Sequence, residues 1–102
     1  MLKSIRWSSF ADADFANLLE YLESDWNNKI ALDFIENLNN CINQIQKNPN
    51  QFPFINKNIK IRKCVITKHN TLYYRVNKDK IDILRIYDTR QNPSNAFYRL
   101  PY

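Results

Sequence analysis

A chain of 102 residues, 44% hydrophobic and 25% charged with a formal net charge of +5, fits one domain, residues 1–102, with one modest core, and its apolar content argues against disorder. It contains no glycine, which excludes both the Gly-rich phosphate loop and the GxGxxG dinucleotide turn, so no cofactor is expected. No apolar run reaches the ~20 residues of a membrane span, and residues 1–10 lack the apolar centre of a signal peptide; the expectation is a cytoplasmic protein with no membrane partner.

Ile5 and Trp7 alternate with polar neighbours, so residues 2–8 read as a first strand. Ser8 or Ser9 is a plausible N-cap, and Asp12 and Asp14 fall in the first turn, where the helix dipole favours acid. Ala11, Phe15, Leu18, Leu22 and Trp26 then recur at helical spacing, which predicts a first helix of about four turns. Residues 25–28 break that pattern. Ala31, Phe34, Ile35, Leu38, Cys41, Ile42 and Ile45 form a second stripe that ends at Asn48, just before Pro49. Two amphipathic helices with so short a link should pack as an antiparallel hairpin.

Residues 49–58, with Pro49 and Pro53, read as a connection whose Phe52 and Phe54 tuck against the core. Three β-rich runs follow, at residues 59–67, 71–77 and 81–88, and their short links predict an antiparallel meander. In the middle run Leu72, Tyr74 and Val76 alternate with Tyr73, Arg75 and Asn77, one face for the core and one aromatic and charged. The outer two runs alternate less cleanly, which points to a bulge or to a strand covered on both faces. The fold class is therefore α+β: an N-terminal strand, a helix hairpin and a three-stranded meander.

Without glycine, turns that need a positive φ should fall to Asn or Asp. Cys41 and Cys64 share no CxxC spacing and sit at core positions of a helix and a strand, so they read as buried free thiols in a reducing compartment.

The charge is divided along the chain. Residues 9–48 carry Asp12, Asp14, Glu20, Glu23, Asp25, Asp33 and Glu36 against Lys29 and Lys47, net −5. Residues 51–90 carry Lys57, Lys60, Arg62, Lys63, Lys68, Arg75, Lys78, Lys80, Arg85 and Arg90 against Asp79, Asp82 and Asp88, net +7. A basic sheet beside an acidic helical layer suits a polyanion or an acidic protein segment as partner. The turn lysines Lys78 and Lys80 read as solvated. Arg62, Arg75, Arg85 and Arg90 are suited to planar recognition of phosphate or carboxylate.

His69 is the only histidine, and no acids stand at ligand spacing around it, so no metal is expected. Metal-free RNA cleavage needs a base for the ribose 2′-OH, an acid for the leaving oxygen and cations for the phosphorane. Lys60, Arg62, Lys63, His69, Arg75, Arg90 and Tyr98 are of the right types, as the side chains of any basic sheet would be.

Four segments in order, IRWSSFADADFANLLEYL, FIENLNNCINQIQKNPNQFP, IRKCVITKHNTLYYRV and IDILRIYDTRQNP, resemble the RelE/ParE superfamily of toxins from bacterial type II toxin–antitoxin pairs. The resemblance covers nearly the whole chain. It implies a growth-inhibiting, plasmid-stabilising toxin neutralised by a cognate antitoxin, with which it could form a hetero-oligomer. RelE-like members cut mRNA on the ribosome without metal; ParE-like members inhibit DNA gyrase and lack that catalytic set. Arg62 and Lys63 match the basic part of the first meander strand, Arg75 the basic position after the YY pair, and Arg90 the Arg near the end of the last strand in RelE-like sequences. Arg90 is followed by Gln-Asn-Pro, and Tyr98 lies beyond a proline-containing loop; both depart from the nuclease pattern, and the ILRIYDTRQNP ending looks more like the ParE branch. The resemblance thus implies target binding through Arg62, Lys63, Arg75, Arg85 and Arg90. A nuclease would instead use Arg62, His69, Arg75, Arg90 and Tyr98. A basic nucleic-acid-binding module without toxicity is the third reading.

Overall fold

Ser8 starts the helical layer. Its side chain accepts from the Ala11 N–H at 2.9 Å while its hydroxyl donates to the Leu84 carbonyl at 2.7 Å, so one residue caps a helix and ties it to a strand. The computed structural model describes residues 3–90. In it, strand β1 (Ser4–Trp7) leads into helix α1 (Ser9–Tyr21), which buries Ala11 and Leu18. A π-helical turn, Leu22–Trp26, continues it. The wider turn keeps Leu22 inside but swings Trp26 off the apolar stripe to 49% exposure, so the single four-turn helix read from spacing is cut one turn short.

Asn27 then caps helix α2 (Asn28–Lys47) by accepting from the Ile30 N–H. The α2 stripe buries Ala31, Phe34, Leu38, Cys41 and Ile45 as its spacing predicts, and Phe15 of α1 stacks on Phe34. Burying the larger of these, Phe34, Leu38 and Ile45, stabilises by about 1.5–3 kcal/mol each, which holds the hairpin on the sheet. Among the described residues no helix is long and apolar enough to cross a membrane.

The meander is present as β3 (Ile61–Thr67), β4 (Asn70–Val76) and β5 (Lys80–Asp88), and the connection before it contributes a short extra strand, β2 (Phe54–Asn56). The sheet therefore has five strands in the order β1-β5-β4-β3-β2, with β1 parallel to β5 and the other pairs antiparallel. A three-residue edge strand leaves too short a pattern to read in sequence, and parallel pairing of β1 with a strand some seventy residues later is a tertiary choice.

The irregular alternation has both suggested causes. A register shift against Tyr73/Tyr74 accommodates an extra residue in β5, so Tyr73 pairs with Arg85 and Tyr74 with Ile83. The sheet is also covered on two sides. Cys64, Ile66, Leu72, Tyr74, Ile81, Ile83 and Ile86 join the helices in the main core, while Ile61, Tyr73 and Leu84 make a second cluster with Ile55, Ile59 and Tyr87. Tyr73, read as part of a charged outer face, is buried there.

Two further expectations are corrected. Among the described residues the positive φ falls on a lysine, Lys60 at 57°, not on Asn or Asp. Asn56 serves that turn differently, its side chain accepting from the Asn58 and Ile59 N–H groups. Cys41 and Cys64 are not free thiols but a disulfide, with Cα atoms 6.7 Å apart. Their distance along the chain concealed that the core stripe of α2 lies on the core face of β3. The free-thiol reason for a reducing compartment goes with that reading.

Candidate functional site

The sheet concentrates cations, and the structure sorts them by what surrounds each. Arg62 lies in β3 opposite Tyr74. Its Nη1 donates to the carbonyls of Asn50 and Phe52 at 3.0 and 2.6 Å, and its guanidinium stacks 3.8 Å over the Phe54 ring. It pins the 49–53 connection to the sheet. Tyr74 pins the same connection, its hydroxyl donating to the Pro49 carbonyl at 2.7 Å. Burial pushes the Tyr74 phenol up to about 12, with Arg62 opposing the shift.

Arg85 sits where the β5 bulge turns it towards α1. Its Nε and Nη2 donate to the two oxygens of Asp14 at 2.7 and 2.8 Å, a two-pronged pair. The Ile86 N–H also donates to Asp14 at 3.0 Å, and the Phe10 ring lies 5.3 Å from the guanidinium. The hydrogen bond to Asp14 raises the Arg85 pKa further above its ordinary value, against the opposing effect of burial. Asp14 is thus a clamp on a strand edge, not a charge for the helix dipole.

Arg90 closes the far end of β5. Its backbone N–H and Nε donate to one oxygen of Asp88 at 2.8 and 3.2 Å, and Nη2 donates to the other at 2.7 Å. Asp88 is also bonded by the Asn70 side-chain amide, and the Asn70 carbonyl oxygen accepts from the Thr67 hydroxyl at 2.6 Å. Asn70 and Asp88 are buried. Burial alone would raise the Asp88 pKa, but the bonds from Arg90 and Asn70 prevail and hold it below 3.8. Arg90 also packs 5.2 Å from the Trp26 ring, whose Nε1 donates to the Tyr21 hydroxyl. The π-helical turn and the end of the meander therefore meet at this arginine. His69, in the turn between β3 and β4, contributes backbone: its carbonyl accepts from the Thr89 N–H at 2.9 Å.

Lys63 and Arg75 differ. They lie on the side of the sheet away from the helices, Lys63 opposite Tyr73 and Arg75 opposite Ile61. Lys63 is exposed and Arg75 half-buried. Asp82 is the strand partner of both Arg75 and Arg6; its carboxylate is taken by Arg6 Nε at 2.6 Å and by the Asn77 amide. This face thus has an apolar floor of Ile61, Tyr73 and Leu84 rimmed by Lys63, Arg75 and Arg6. Of the residues singled out in sequence, the fold brings Lys63 and Arg75 together here. It sends Arg62 to the connection, Arg85 to α1 and Arg90 to the strand end. Tyr98 lies outside the described residues. Sequence reasoning missed Asp14, Asn70 and Asp88 as partners; the spacing of Asp88 and Arg90 was the one available signal.

Residues 5–93 match the family described as the ParE toxin of the type II toxin–antitoxin system, parDE. The chain belongs to the ParE toxin family. No curated protein matches it significantly in sequence. Among solved structures, this ParE-family fold is similar to a chain of the chromosomal ParDE toxin–antitoxin system from P. aeruginosa: TM-score 0.71 at 20% identity, covering 85% of this chain and 96% of that one. It is also similar to the YoeB/ParE toxin from Agrobacterium tumefaciens: TM-score 0.63 at 13% identity, covering 83% and 96%. A chain of the RelBE2 toxin–antitoxin complex from Mycobacterium tuberculosis follows: TM-score 0.57 at 14% identity, covering 86% and 99%. The α+β architecture is therefore that of the RelE/ParE toxins. In this ParE-family chain, three of the arginines that sequence put forward are held by oxygens of their own chain.

Proposed function

We propose that this ParE-family protein is the toxin of a type II pair and acts by binding a macromolecular target rather than by cutting RNA. DNA gyrase is the target that the ParE resemblance implies. The observation that carries this reading is the engagement of Arg90. An arginine that stabilises a phosphorane must turn its N–H groups to the phosphate, whereas the Arg90 guanidinium turns Nε and Nη2 to Asp88, which also accepts from the Arg90 backbone N–H and is itself buried and bonded by Asn70. Arg62 and Arg85 are engaged likewise. Lys63 and Arg75 remain for target contact, on the open side of the sheet.

A cognate antitoxin would hold the protein inactive in the cytoplasm, and such pairs stabilise the plasmids that carry them. Its seat would be the groove of about 600 Å³ on α1 and the π-helical turn, with Phe15 and Leu19 as apolar floor and Glu20 and Glu23 at the rim. The mRNA-endonuclease reading is favoured by one feature, the clustering of Lys63 and Arg75 with Arg6 on one face.

A side-by-side assay tests the choice. The purified chain should block supercoiling by gyrase and leave mRNA intact in a translating extract, and its expression without the antitoxin should stop growth. Codon-phased mRNA cuts that vanish in Arg90→Ala, with supercoiling unaffected, would replace this reading by the nuclease. Salt-steep nucleic-acid binding without toxicity would leave only a binding module.

A further inference from the structure

The sulfurs of Cys41 and Cys64 lie on the helix-covered side of the sheet, away from the cations on which the functional reading rests. Cys41 is on the buried stripe of α2 and Cys64 on the core face of β3, 4% and 3% exposed. Their bond is the one covalent side-chain link between the helical layer and the sheet among the described residues, and it joins positions 23 apart in the chain. That segment holds the end of α2, the 49–53 connection and the edge strand β2. The connection is also held by hydrogen bonds from the Arg62, Tyr74 and Gln51 side chains and from the Lys63 N–H to the Pro53 carbonyl, and by Phe52 packing edge-on to Tyr74.

We propose that Cys41 and Cys64 form a reversible oxidation site that takes glutathione disulfide, or a like small disulfide, as its oxidant, and that the resulting bond sets how firmly the hairpin is held on the sheet. In the first step one cysteine thiolate attacks a sulfur of glutathione disulfide. A protein–glutathione bond forms and one glutathione thiolate leaves. In the second step the other cysteine thiolate attacks the protein sulfur of that mixed disulfide and expels the second glutathione. Two cysteine thiols are oxidised, one glutathione disulfide is reduced to two glutathione thiols, and the protons from the cysteines end on them.

Burial dictates when this can happen. An attacking thiolate must reach the sulfur it displaces, and neither sulfur is open to a tripeptide while α2 lies on β3. Exchange therefore runs during folding or when that contact opens locally. A folded chain therefore changes its redox state only as often as that contact opens, far more slowly than an unfolded one. The bond stabilises by constraining the unfolded chain, and for a loop of this length the expected gain is a rise in melting temperature of roughly 15 °C.

The test uses the full wild-type chain, refolded in excess reduced glutathione or in excess glutathione disulfide, then denatured and alkylated with iodoacetamide. Both cysteines should be labelled in the first case and neither in the second, with the oxidised chain monomeric and melting higher. The folded oxidised chain should also survive reduced glutathione that fully reduces it in denaturant. The double variant Cys41→Ala/Cys64→Ala should show no dependence on the glutathione ratio. Labelling of both cysteines in glutathione disulfide as well as in reduced glutathione, stable glutathione adducts, disulfide-linked dimers, coincident melting of the two forms, or equal reduction of folded and denatured chains would each overturn the proposal. Because the comparison is between two states of one wild-type chain, it holds even if the variant folds poorly.

Discussion

Arg85 of β5, Arg90 two residues past the end of that strand and Arg75 of the neighbouring β4 lie close together in one sheet, yet they meet opposite surroundings. Arg85 faces the α1 edge and finds Asp14; Arg90 follows β5 and finds Asp88. Arg75 points to the helix-free side, where the nearby carboxylate of Asp82 is already engaged by Arg6 and Asn77. The first two are parts of the scaffold, and the last, with Lys63, is surface on offer. The difference teaches that a strand arginine is functional or structural according to what the neighbouring element brings to it. The division of net charge along the sequence is blind to that.

The sharpest way to break this contrast is Asp88→Ala. It would leave Arg90 and the Asn70 amide without their acceptor in a nearly closed site, and should cost about 3 kcal/mol in chemical denaturation. The same carboxylate should leave a signature in acid. Its pKa is depressed in the folded chain, so its contribution is complete above 3.8 and is lost as the pH falls from there through the lower folded value. Asp88→Asn should lack that limb of the stability profile. If Asp88→Ala is neutral, Arg90 is not closed and belongs with the surface cations.

Asp14→Ala comes next, at about 2 kcal/mol, because a charge-assisted pair and the bond to the Ile86 N–H are lost from a partly exposed site. Tyr74→Phe should cost about 1 kcal/mol by freeing the Pro49 carbonyl. The raised phenol pKa adds stability that is complete below 10.0 and lost as the pH climbs towards about 12. Stability curves at alkaline pH should show a smaller loss in Tyr74→Phe than in the wild type, the remainder coming from Tyr73 and Tyr87, whose phenols are also pushed up by burial. Lys60→Gly should gain up to about 1 kcal/mol, since glycine takes a positive φ without the penalty of a Cβ. Lys63→Ala combined with Arg75→Ala should sit within about 0.5 kcal/mol of the wild type in melting, yet lose most of its growth inhibition. Unchanged toxicity in that variant would remove the open face from the functional surface.

Much of the architecture was legible because periodicity is local. The stripe from Ala31 to Ile45 predicts α2 and its buried face, and the alternation of Leu72, Tyr74 and Val76 predicts which side of β4 meets the helices. The irregular pattern of the outer runs left a bulge and cover on both faces as alternatives, and β5 has both. Reading failed where the deciding partner was distant in sequence or the element too short. Trp26 kept its helical spacing but lost its place in the core to a π-helical turn. β2 is three residues long.

From the sequence alone follow the strand–hairpin–meander order, the absence of glycine-dependent nucleotide sites and the concentration of cations in the strands. These depend on residue type and on spacing over a few turns. Which cations are free, which acids close the others, that β1 joins β5 in parallel, and that Cys41 meets Cys64 were decided by tertiary structure. Each of those turns on two segments many residues apart arriving at one point, and short-range hydrophobic pattern carries no record of such meetings.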